Sequence, residues 1–180
     1  MIPQVLVPLA HGFEEIEATC PIDLLRRADV EVITASCEDE LLVIGRSGIA
    51  IQSDSLLKDI SPKSFELLVL PGGPSVFKLR ERSEILELIK FFYTAQKPIG
   101  AICAAPLLLK DAGLLNNLSY TAHGSVSNEL MEMKNDQAVV KDGHIITSRG
   151  AGTAVEFGLS LVELLRGREK ADEIRQSIHA

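Results

Sequence analysis

The sequence predicts one doubly wound α/β domain, with a mostly parallel sheet and helices on both faces. Three observations lead there. Short apolar runs alternate along the chain with longer stretches of helical periodicity. The runs at 4–9 and 65–70 are almost continuously apolar, as strands buried on both faces are. No repeat, low-complexity tract or linker interrupts the 180 residues, a length that suits a single domain over 1–180.

The elements follow in order. Residues 4–9 (QVLVPL) form a first strand. Residues 14–28 form a helix, with Ile16, Leu24 and Leu25 among its apolar positions and a kink expected at Pro21. Residues 30–35 (VEVITA) are a second strand. Residues 41–44 and 49–51, joined through Gly45 and Gly48, read as a small hairpin. Residues 65–70 (FELLVL) are a strand closed by the turn Pro71-Gly72-Gly73-Pro74. An amphipathic helix covers 83–95. The strand 98–102 runs straight into a helix at 104–110. Short strands are expected near 119–122, 137–140 and 144–147, with Asp142-Gly143 as the hairpin turn between the last two. A helix at 151–166 and a polar one at 168–178 complete the chain.

Composition narrows the function classes. Apolar residues make up 46% and charged residues 24%, as in a soluble globular protein. The net charge is -7 and no basic cluster stands out, which argues against nucleic acid as the main partner. No apolar run approaches the ~20 residues of a membrane span, and residues 1–8 lack the pattern of a secretory signal. Cys20, Cys37 and Cys103 show no CxxC spacing, so free thiols in a reducing, cytoplasmic setting are expected. The four histidines, His11, His123, His144 and His179, form no metal motif with them.

The junction at Cys103 carries the chemistry. A strand that becomes a helix without a loop strains the residue between them and exposes its side chain. A thiol there, beside a helix N-terminus, is expected to ionise readily and act as a nucleophile. In doubly wound folds ligands bind beyond the carboxyl ends of the strands. That edge gathers His11 to Glu17, Gly72 and Gly73, Cys103, His123, and Ser148 to Gly152. Glu14 and Glu15 suit a helix's first turn, where acids favour the dipole. Glu17, one turn on from Phe13, either shares that role or points inward to exchange a proton with the thiol. His123 is either an exposed loop histidine or part of the site. Gly72-Gly73 is either a tight turn or a source of backbone N–H for an oxyanion. Arg149 is either a surface charge or a carboxylate ligand. Cys20 and Cys37 read as structural.

Four motifs in order then match a known group: Gly12-Phe13-Glu14-Glu15-Ile16-Glu17, Val69-Leu70-Pro71-Gly72-Gly73, Ala101-Ile102-Cys103-Ala104-Ala105-Pro106 and Thr147-Ser148-Arg149-Gly150-Ala151-Gly152-Thr153. From about Gln4 to Lys170 the chain resembles the ThiJ/PfpI superfamily, in the branch of the parkinsonism-associated protein deglycase and its bacterial relatives. The resemblance implies a flavodoxin-like, class I glutamine amidotransferase-like fold. It puts the elbow cysteine on Cys103, its glutamate on Glu17, the oxyanion-type amides on Gly73 and Ala104, and a nearby histidine on His123. It implies a homodimer and no cofactor. The implied activity is a glutathione-independent one on methylglyoxal, glyoxal or early glycation adducts, yielding lactate or glycolate. The alternative is an oxidative-stress sensor or redox-regulated chaperone acting through oxidation of Cys103. Two departures matter. Ala104 stands where the protease-like branch has histidine, which counts against peptidase activity. Ala151 replaces a common proline, a mild change. The chain also ends at Ala180 without the tail that covers the site region in some relatives, which implies freer access to Cys103.

Overall fold

The computed structural model describes residues 2–180. In chain order the elements are β1 (Gln4–Leu9), α1 (Glu15–Arg27), β2 (Glu31–Ser36), β3 (Leu42–Ile44), β4 (Ala50–Gln52), β5 (Ser55–Leu56) and β6 (Leu67–Leu70). Then come α2 (Ser75–Leu79), α3 (Ser83–Thr94), β7 (Ile99–Ile102), α4 (Pro106–Asp111), β8 (Val139–Asp142), β9 (Ile145–Ser148), α5 (Ala154–Arg166) and α6 (Arg168–Ser177). Seven strands form one sheet in the order β5-β2-β1-β6-β7-β9-β8. Every neighbouring pair in it is parallel except β8–β9. β3 and β4 form a separate antiparallel hairpin.

Side chains that alternate along the strands feed two cores. Val5, Val7 and Leu9 of β1 and Leu67 and Val69 of β6 join Leu24 and Leu25 of α1 and Phe157 and Leu161 of α5. On the other face Leu6, Leu68 and Leu70 join Ile85, Ile89 and Phe92 of α3 and Leu107 to Leu109 of α4. Burial on both faces is why these strands read as unbroken apolar runs. α1 starts where the Glu14 carboxylate accepts the Glu17 N–H at 2.8 Å, and the helix continues through Pro21 to Arg27. It packs tightly on α5. A Cβ at Gly158 would stand 2.6 Å from Leu24 Cδ1 and 3.2 Å from Pro21 Cα, so a bare backbone lets the helices close.

Three expectations need correction. Residues 119–122 form no strand. β9 is already paired by β7 and β8, so no backbone ladder is free. The Thr121 N–H instead donates to Thr147 Oγ1 at 2.9 Å, and the Ser119 N–H to the Asp142 carboxylate at 2.7 Å. The last hairpin turns at Gly143-His144, one residue later than expected, because Asp142 pairs with Ile145. The short helix α2 follows Pro74, where the Pro-Gly-Gly-Pro turn had suggested only a reversal.

From β1 the sheet extends to β2 on one side and β6 on the other. This reversal opens a crevice beyond the carboxyl ends of β1 and β6.

Candidate active site

Cys103 follows β7 directly and has φ +66°, a region that side chains other than glycine seldom adopt. Two bonds hold it there. Its N–H donates to the Ser148 carbonyl at 2.9 Å, and its carbonyl accepts the His123 N–H at 2.9 Å. A turn at 103–105 separates it from α4, which begins at Pro106 rather than at once. The thiol is half-buried and packs against both cores.

Glu17, in the first turn of α1, is 1% exposed and points inward. Its Oε2 accepts the Gly72 N–H at 3.0 Å. A Cβ at Gly72 would lie 2.5 Å from that oxygen and 2.7 Å from Cys103 Cβ. Only a glycine lets the carboxyl and the thiol share this space. Burial pushes the Glu17 carboxyl up to about 7, opposed by its interaction with Cys103 and aided by the negative charge of Glu14. Burial also pushes the Cys103 thiol up to about 12, and the Glu17 carboxylate adds to the rise. The Gly73 and Ala104 backbone N–H groups act in the opposite direction. A ready thiolate was expected here. Desolvation and the facing carboxylate outweigh the helix terminus, whose first turn starts three residues away. The two groups are therefore coupled: a charge on the Glu17 carboxyl raises the Cys103 thiol further.

Gly73 has φ +97°, and a Cβ on it would come within 2.5 Å of the Gly12 carbonyl oxygen and 2.6 Å of the Glu14 nitrogen. The Glu14 N–H donates to the Gly72 carbonyl at 3.0 Å. The turn after β6 and the start of α1 are thus locked together, which fixes Glu17 against Cys103.

Glu17, Gly73, Cys103, Ala104 and His123 line one cavity of about 290 Å³. These five residues, expected from the sequence at one edge of the sheet, meet in this cavity. His123 itself is exposed, and its ring is turned to Ser125 rather than to the thiol. Nδ1 accepts the Ser125 N–H at 3.2 Å and lies 2.9 Å from its hydroxyl. Arg149 lies outside the cavity, with Nη1 donating to the Asn135 carbonyl at 3.0 Å. Arg46, Phe77 and Ser125 also line the cavity. They come from the β3–β4 turn, α2 and the loop after His123, where the sequence carries no pattern that marks them. Among the described residues, no group of three or more His, Cys, Asp or Glu is placed to hold a metal ion. Nor is any described helix long and apolar enough to cross a membrane.

Fold and site define a class: a doubly wound α/β domain with a half-buried thiol on a strained strand end, facing a buried carboxyl. Residues 3–164 match the DJ-1/PfpI family, and the chain belongs to that family. It is 40% identical over 172 residues to Protein DJ-1 homolog A of Arabidopsis thaliana, covering 94% of this chain and 44% of that protein. The chain thus spans less than half of that longer relative. It is 37% identical over 174 residues to the Glutathione-independent glyoxalase DJR-1.2 of Caenorhabditis elegans, covering 94% of this chain and 91% of that one. The crystal structure of Drosophila melanogaster DJ-1beta superposes with a TM-score of 0.96 at 35% identity, covering 100% of this chain and 99% of the other.

Proposed function

We propose that the protein is a thiol-dependent enzyme that converts small dicarbonyls, methylglyoxal and glyoxal, to lactate and glycolate without glutathione. The observation that carries this reading is the Cys103 thiol facing the buried Glu17 carboxyl across Gly72, with the Gly73 and Ala104 amides beside the sulfur. The name of the Caenorhabditis elegans relative supports it.

The chemistry follows from the pair. Cys103 Sγ attacks the aldehyde carbon as its proton passes to Glu17, and a C–S bond forms. Glu17 returns that proton to the former carbonyl oxygen, giving a hemithioacetal. As a carboxylate it then removes the hydrogen on that carbon and delivers it to the neighbouring one through an enediol. The product is a 2-hydroxyacyl thioester on Cys103. Water cleaves the C–S bond, releasing the 2-hydroxy acid and restoring the thiol. A carboxyl near pH 7 suits a group that must both donate and accept. The amides stabilise negative oxygen in the addition and hydrolysis steps. His123 supports proton transfer from the cavity wall. An early hemiaminal adduct enters the same sequence once its C–N bond breaks, which releases the amine and regenerates the aldehyde that Cys103 attacks.

The test is lactate release from methylglyoxal without glutathione, in the native protein and in Cys103→Ser and Glu17→Gln. Loss in both variants supports the reading. A native protein with its thiol reduced and no turnover overturns it, and leaves oxidation sensing at Cys103 as the role of the site.

We also infer a homodimer. Ile16, Leu42, Ile44 and Ile49 are exposed on the first turn of α1 and on the β3–β4 hairpin. The two are joined by the Ser47 N–H, which donates to Glu15 Oε1 at 2.6 Å. A second copy covers this apolar face.

A further inference from the structure

One side chain outside the cavity connects three of its walls. Arg80 caps the C-terminal end of α2, which follows the Gly73 turn and carries Phe77. Its Nε and Nη2 donate to the two oxygens of Asp111 at 2.6 and 3.0 Å. Asp111 ends α4, the helix that follows Cys103. Arg80 Nη1 and Nη2 donate to the two oxygens of Glu129 at 2.9 and 2.8 Å. Glu129 lies six residues beyond His123, and its N–H donates to the Val126 carbonyl at 3.0 Å. Lys110 Nζ adds a weaker contact to Glu129 at 3.5 Å.

Isolated surface ion pairs contribute little. This one differs in geometry. A single guanidinium holds two carboxylates, each bidentate, in the fork arrangement that arginine matches best. Arg80 and Asp111 are each 22% exposed. The segment it holds includes a short 3-10 turn, Gly124–Val126, and is tied to the rest of the protein by the His123 N–H on the Cys103 carbonyl and by the buried Val126 and Leu130. The His123 ring and Ser125 hydroxyl, which wall the cavity, sit between those anchors.

We propose that Arg80 is a positioning residue. It holds the 123–130 loop against α2 and α4 and so sets the width of the cavity over Cys103. It touches no substrate and acts through His123 and Ser125. This inference rests on the geometry of the cavity and not on the dicarbonyl reaction.

The test compares native protein with Arg80→Met, Arg80→Lys and Glu129→Gln. Alkylation of Cys103 is followed by peptide-resolved mass spectrometry, which separates it from Cys20 and Cys37. A small reagent, iodoacetamide, is compared with a bulky N-substituted maleimide at one pH. Amide exchange across 120–132 is measured in parallel. In Arg80→Met the maleimide rate rises at least fivefold, the iodoacetamide rate stays within twofold, and exchange quickens in 123–130 alone. Arg80→Lys, which cannot fork to two carboxylates, falls between. Glu129→Gln keeps the Asp111 pair and shows the same pattern more weakly, so it decides the matter if Arg80→Met fails to fold. Equal acceleration of both reagents, or exchange rising throughout the protein, shows general loosening and overturns the proposal. So do rates unchanged for both reagents in a folded variant.

Discussion

Replacing Glu17 by glutamine is expected to stabilise the protein at pH 8 while removing the carboxyl proposed to carry the proton. Glu17 is 1% exposed, and burial raises its carboxyl from the ordinary 4.5 to about 7. Between those two values the native state keeps a proton that the unfolded chain gives up. The stability associated with that proton is fully present below pH 4.5. It is lost as pH rises through 7, because the slope follows the difference in bound protons. At about 1.4 kcal/mol per pH unit, the rise from 4.5 to about 7 corresponds to roughly 3 kcal/mol of destabilisation at pH 8. Glutamine carries no charge to desolvate and still offers an oxygen to the Gly72 N–H. Glu17→Gln should therefore exceed the native protein by about 2–3 kcal/mol at pH 8, and the gap should shrink to near zero at pH 4.5. Urea unfolding at pH 5, 6, 7 and 8 measures it, with the m-value held as the check on two-state behaviour. A variant no more stable than the native protein at pH 8, or a gap independent of pH, would refute the argument that burial dominates at this carboxyl.

Three further predictions follow from the same geometry. Gly73→Ala forces a Cβ against the Gly12 carbonyl at a positive φ, and should cost about 3 kcal/mol or more in urea unfolding. Iodoacetamide modification of Cys103 should keep rising about tenfold per pH unit between pH 8 and 10, where an ordinary thiol levels off near 9. A plateau below pH 9 would show that burial and the facing carboxylate do not hold the thiol protonated. Ile44→Asp on the β3–β4 hairpin should halve the mass seen by sedimentation, with the circular dichroism of the subunit unchanged.

The sheet was legible in the sequence because its central strands are buried on both sides. The segments at 4–9 and 65–70 show this as unbroken apolar runs, and the structure places β1 and β6 within them. The cysteine junction was legible for a local reason: a strand meets a helical segment with only a three-residue turn between. What escaped depends on partners distant in sequence. The segment 119–122 has the composition of a strand, yet β9 has no free side to accept it. The five residues of α2 follow two prolines and two glycines, whose turn signal hides a helix that short. The state of the Cys103 thiol was misjudged because proximity to a helix start is visible in sequence and desolvation is not. The Arg80 fork joins residues 31 and 49 positions apart, and no spacing rule reaches that far.

Cys103 is in contact with both hydrophobic layers, one on each side of the sheet. That makes it a seam residue, at which two independently packed halves of the molecule register their alignment. The helices α3 and α5 pack on opposite faces of the sheet, and the layer under each includes this one residue at its margin. The thiol is thus a natural gauge of the whole interior. A substitution in either layer that alters its packing on this residue is expected to change the rate at which the thiol reacts.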